Sequence, residues 1–163
     1  MAAYLLVSFM VAPGRAAGWI LRTCARHVRG AGLHSMPFDL TWEPGGVVRR
    51  YTGDVTEAER RCSFERICAD PRFDSLRFVI TNFLGATRVQ VSPGFTEELA
   101  AMHIGPLATN PHLVMAAVAL DPAVIAAIAH FKSLGFVDAP YRVFATEDDA
   151  RAWLATLPRF AWR

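Results

Sequence analysis

Leu76-Arg77-Phe78-Val79-Ile80-Thr81-Asn82-Phe83 is the stretch that decides the fold. Its apolar side chains are too continuous for a strand with one wet face, and Asp70-Pro71-Arg72-Phe73-Asp74-Ser75 separates it from whatever helix comes before. The run is therefore expected to be a strand covered on both faces, in the middle of a sheet. Everything else in the chain is placed relative to it.

Upstream, Phe38, Leu40 and Trp42 alternate with Asp39, Thr41 and Glu43, the period-2 pattern of a half-wet strand. Pro44-Gly45-Gly46 supplies a turn, and Val47 to Thr52 makes the return strand of a hairpin. Thr56 and Glu59 have capping-box spacing at the start of a helix expected to run to about Ala69. Downstream, a looser segment from Leu84 to Val91 leads to Ser92-Pro93, a cap residue followed by a proline suited to the first helical position. Phe95, Leu99 and Met102 form the inward stripe of that helix, and Gly105-Pro106 is expected to break or kink it. Leu113 to Leu120 reads as a second buried strand. Asp121-Pro122 opens an alanine-rich helix closed by Gly135, Tyr141 to Ala145 is a short last strand, and Thr146 caps a final helix. The order is ββαβαβαβα: an α/β fold with one mixed sheet of about five strands and about four helices, parallel in its interior.

Residues 1–35 contain Arg15, Arg22, Arg26 and Arg29 and no acid. Residues 36–163 hold 13 Lys and Arg against 15 Asp and Glu, a net charge of −2, although the whole chain is formally +2. The expected domain, residues 36–157, thus lacks the concentrated positive charge of a nucleic-acid binder. Three readings fit the leader: an export signal, a membrane-surface or targeting segment, and sequence translated ahead of a start at Met36. The abrupt change at Met36-Pro37 favours the third, with the leader disordered or a loosely packed helix and residues 158–163 a short tail. The apolar run Tyr4 to Val11 is far short of the roughly 20 residues a transmembrane helix needs. Cys24, Cys62 and Cys68 form no CxxC pair, and on one helix Cys62 and Cys68 would stand about 240° apart, so free thiols in the cytoplasm are the simplest reading.

Several segments resemble the SpoIIAA-like proteins, a group of small bacterial proteins related to the STAS fold of sulfate transporters and anti-sigma factor antagonists and placed near the CRAL-TRIO fold. They are Trp42-Glu43-Pro44 with Gly46-Val47-Val48, Tyr51 to Thr56, Asp70 to Ile80, and Phe144 to Leu154. The resemblance covers about Met36 to Leu157 and implies a compact regulatory or binding module. In the anti-sigma antagonist branch a phosphorylatable serine lies in an Asp-Ser step just after the interior strand. Here that place is Asn82-Phe83-Leu84-Gly85, with neither residue. Ser92, at a helix N-terminus, and Thr87 are the remaining candidate phospho-acceptors, with an ordinary N-cap the simpler account of Ser92.

No residues spell out a reaction. GxGxxG, GxxxxGK[ST] and GxSxG are absent, and His103, His112 and His130 fall on different elements without ligand spacing. No cofactor or metal is expected, and nothing in the sequence argues for an enzyme, so a non-enzymatic module is the first reading and an enzyme a distant third. Ala123 to Ala129 is seven residues without a polar side chain, so that helix is either covered or meets a second copy, another protein or an apolar ligand. A homodimer or a protein partner is the first expectation. The alternative is a small apolar-ligand or lipid binder. Asn82, Phe83 and Leu84 at the strand end, with Phe95, Met102, Ile125 and Phe131 on the helices, make up the expected ligand or partner surface.

Overall fold

The computed structural model describes residues 37–157. The readings of the leader and of the tail lie outside the described residues. The elements follow in the order β1 (Phe38–Glu43), β2 (Gly46–Val55), α1 (Glu57–Cys68), a short 3-10 turn (Phe73–Ser75), β3 (Phe78–Val89), α2 (Pro93–Thr109), β4 (Val114–Val118), α3 (Pro122–Ser133), β5 (Tyr141–Phe144) and α4 (Glu147–Thr156). This is the expected ββαβαβαβα order. The sheet runs β1-β2-β3-β4-β5, antiparallel between β1 and β2 and parallel elsewhere, so β3 is the middle strand.

Because each parallel strand is added on the same side of its predecessor, right-handed crossovers put α1, α2 and α3 on one face of the sheet. Helix α4, after the last strand, covers the other. Side-chain alternation matches: Val79 and Phe83 of β3 pack toward the three helices, while Ile80 joins Val48, Ala116 and Val118 against Ala150 of α4. The covered-strand reading of Val79 and Ile80 holds on both faces.

Local chemistry sets the boundaries. Thr56 and Glu59 form the capping box, Ser92 and Thr146 accept hydrogen bonds from the third residue of their helices, and Asp121 caps α3 ahead of Pro122. At the hairpin, Gly45 has φ +75°, and a Cβ on Gly46 would lie 2.1 Å from the Phe78 ring, so only glycine lets that ring lie over the turn.

Four expectations need correction. The central strand starts at Phe78, since Phe73–Ser75 turns before it, and it runs on to Val89 through the segment expected to be loose. Pairing with β2 as far as Val55 holds that extension in place, with two register shifts. The second buried strand is shorter than expected, Val114–Val118. Pro106 does not end α2: it sits in the last turn, where its carbonyl accepts from Asn110 N and Thr109 Oγ1. The free-thiol reading holds for Cys68, whose pKa burial pushes up to about 12.

Candidate functional site

The residues singled out in the sequence fall into three places. Midway along β3, and not at its end as expected, because pairing with β2 carries the strand on to Val89, Asn82 Nδ2 donates to Glu147 Oε2 at 3.0 Å and its Oδ1 accepts from Leu84 N at 2.9 Å. Leu84 is 47% exposed. Phe83 points to the opposite face, stacked 5.1 Å from the buried Tyr51 ring.

Around Asn82 lies a charge network on the α4 side. Arg50 Nη2 donates to Glu147 Oε1 at 2.8 Å, and Arg151 bridges Glu147 and Glu43, reaching Glu43 Oε1 at 2.6 Å. The hydrogen bond from Arg151 holds the Glu43 carboxyl below its usual range. At Glu147 burial pushes upward, but donors on Asn82, Arg151 and Arg50 outweigh it and the pKa falls. Every charge here has an opposite neighbour.

The phospho-acceptor candidates are on the surface. Ser92 caps α2, accepting from Phe95 N at 3.2 Å, and donates to Glu57 Oε1 at 2.6 Å. A phosphate there would meet a carboxylate as well as the helix N-terminus. Thr87 is exposed on the extended part of β3.

The candidate helix residues separate. Phe95 is buried beneath the guanidinium groups of Arg60 and Arg61, 5.0 and 5.5 Å from its ring. Met102 Sδ lies 3.8 Å from Arg61 Nη1. Ile125 is 39% exposed on α3, whereas Phe131 is buried with its ring edge-on to His103 and Tyr141. Of the expected surface, Phe83 and Phe131 alone line the interior cavity described next.

That cavity, about 70 Å³, lies between the sheet and helices α1, α2 and α3. Its polar lining was not foreseen. Arg49 of β2 donates from Nη1 to Ser63 Oγ at 3.0 Å and from Nη2 to Thr81 Oγ1 at 2.9 Å, with its guanidinium 5.4 Å from the Tyr51 ring centre. Its Nε is buried and has no hydrogen-bond partner. Ser63 Oγ donates to Arg60 O at 2.8 Å, which spends its one proton, so Tyr51 Oη must donate in their 2.5 Å contact. Ser63 thus accepts twice and donates once.

Arg60 donates to Gln90 O at 3.1 Å, and burial lowers its pKa, though a guanidinium stays charged. His103 Nδ1 lies 2.7 Å from Leu99 O; a carbonyl only accepts, so the proton is on Nδ1 and Nε2 keeps a lone pair. Burial lowers the His103 pKa to about 4, and Phe64 packs 4.3 Å from its ring. Among the described lining residues, Arg49 and Arg60 are the cations at neutral pH and none is an acid.

The architecture is similar to that of SpoIIAA. One solved structure, the anti-sigma factor antagonist SpoIIAA in its unphosphorylated form, is 18% identical, with 74% of this chain and 99% of that chain covered at TM-score 0.47. The Bacillus cell fate determinant SpoIIAA in its phosphorylated form is 21% identical over 72% and 98%, at 0.48. An uncharacterised Shewanella loihica protein with a SpoIIAA-like fold is 12% identical over 77% and 98%, at 0.45. No family model matches the chain, and no curated protein matches it significantly. Among the described residues, no helix is long and apolar enough to cross a membrane, and no cluster of three His, Cys, Asp or Glu is placed to hold a metal ion.

Proposed function

We propose that this chain is a non-enzymatic, SpoIIAA-like interaction module that works as a homodimer, in a cytoplasmic setting, through the outer face of α3. One observation carries the reading. Pro122, Ala123, Ile125, Ala126 and Ala129 are all exposed on that helix, while Val124, Ile128 and Phe131 face inward. A solvent-facing helix surface normally carries charge. Here no charged side chain occurs from Pro122 to Ala129.

The stripe suits a second copy of itself, because a two-fold contact brings the same patch from each subunit and alanines let two helices approach closely. The neighbouring helix α2 adds an exposed Ile104 to the apolar surface of this side. Light scattering on the full chain tests the reading. The expected result is a dimer at tens of micromolar, converted to a folded monomer by Ala126→Asp. A wild-type monomer at that concentration would remove the claim.

A further inference from the structure

From the lining of the interior cavity we infer that it is a binding site for a short-chain carboxylate, held by Arg49. The inference is independent of the dimer. Arg49 is half-buried with its Nε wholly enclosed, and a cation drawn out of water in this way is ordinarily met by an acid, because desolvation disfavours the charge. Arg49 meets only the hydroxyls of Ser63 and Thr81 and the face of Tyr51, and it forms no ion pair among the described residues.

A guanidinium has five N–H donors. Two are used, which leaves Nε–H and one N–H on each Nη; Nε is the buried donor without a partner. Nε–H and a neighbouring Nη–H form the side-on edge that matches the two oxygens of a carboxylate. Arg60 adds a second positive charge to the same lining, and Tyr141 adds a buried hydroxyl. Nothing acidic in the described lining would repel the ligand.

Volume and polarity narrow the class. The cavity is about half the size of one of about 150 Å³ known to admit benzene, which sets a ligand of about three to five heavy atoms, the size of acetate or propionate. The rings of Phe83 and Phe131 and the side chains of Leu107 and Met115 supply apolar walls for a short alkyl group. Phosphate, with more charge and no apolar end, fits that lining less well. A long-chain lipid is too large for it. Neutral His103 adds no charge and offers Nε2 as an acceptor only, so it does not compete for the carboxylate.

The experiment titrates the full chain with sodium propionate against sodium chloride at matched ionic strength, following the Arg Nε–H signals by ¹⁵N–¹H NMR. One Nε–H signal should shift saturably with propionate and be missing from the Arg49→Lys protein, whose propionate affinity should fall about tenfold or more. Independently of any variant, propionate methyl protons should show NOEs to the Phe83 and Phe131 rings in the wild-type protein. The inference is overturned if propionate acts no differently from chloride, if the shifting signal survives in Arg49→Lys, if inorganic phosphate binds as well as propionate, or if the methyl NOEs arise elsewhere.

Discussion

Arg49 and Arg50 are neighbours on β2 and live in opposite electrostatic worlds. Arg50 points toward α4 and meets Glu147 at 2.8 Å, in a network that also holds Arg151, Glu43 and Asn82. Arg49 points toward α1, α2 and α3, where its partners are two hydroxyls and an aromatic ring. Strand geometry alone sends the two side chains to different faces. What differs is that one face neutralises its charge and the other leaves two guanidinium groups beside a cavity. Charge balance is what a sheet face built only for stability would be expected to show; a cation without an acidic partner lining a cavity is a feature of recognition.

The largest effect expected from this contrast is on pH dependence, and it belongs to the cavity face. His103 is held neutral, its pKa lowered by burial from 6.5 to about 4. Between those values the unfolded chain takes up a proton that the folded one refuses, so this part of the stability is complete above pH 6.5 and is lost progressively as pH falls toward 4. By surface area the ring is only partly buried, so the full shift overstates the cost, which is about 2 kcal/mol after discounting for exposure. Urea denaturation from pH 7 to 4.5 should show that decline in the wild type and a flatter profile in His103→Phe. Equal slopes would mean that the cavity face does not exclude charge from this ring.

A smaller effect is expected on the balanced face. Arg151→Ala removes the bridge between Glu43 and Glu147 and leaves their carboxylates facing each other. Its cost should be about 1 kcal/mol in low salt, because these side chains are 20–38% exposed, and should shrink as salt screens the network. A loss that does not respond to salt would make Arg151 a packing residue instead.

Much of the fold was legible because its signals are local. Thr56 with Glu59, Ser92-Pro93, Asp121-Pro122 and Thr146 each announce a helix start from within four residues, and the apolar β3 run announces its own burial. The extension of β3 to Val89 was not legible. Leu84 to Val89 contains Gly85, Thr87 and Arg88, and only its distant pairing with β2 makes it a strand. The cavity was missed for a related reason. Arg49-Arg50 reads in one dimension as two wet residues of a return strand.

A signal was nonetheless present. Val47, Arg49 and Tyr51 share one side of β2, so an arginine lies between two residues that prefer burial. Arg60 and Ser63 share the i, i+3, i+4, i+7 stripe of α1 with Phe64 and Ile67, and all four are buried. Two cations on two otherwise inward-facing surfaces pointed to a polar interior. Their convergence on one volume needed the crossover geometry. The outer face of α3, by contrast, was visible in sequence as a run without charge, though not which side of it faced solvent.

The account rests on Arg49 serving recognition and contributing little to the fold, and thermal or urea unfolding of Arg49→Met in chloride buffer, free of carboxylates, tests that most directly. Methionine keeps much of the side-chain volume and removes the unpaired charge. The protein should be as stable as the wild type to within about 0.5 kcal/mol, or more stable, because replacing a poorly compensated, half-buried charge by an apolar side chain is commonly neutral or favourable. A loss of more than about 2 kcal/mol, the scale of breaking a buried polar network, would contradict the account and make Arg49 a structural residue.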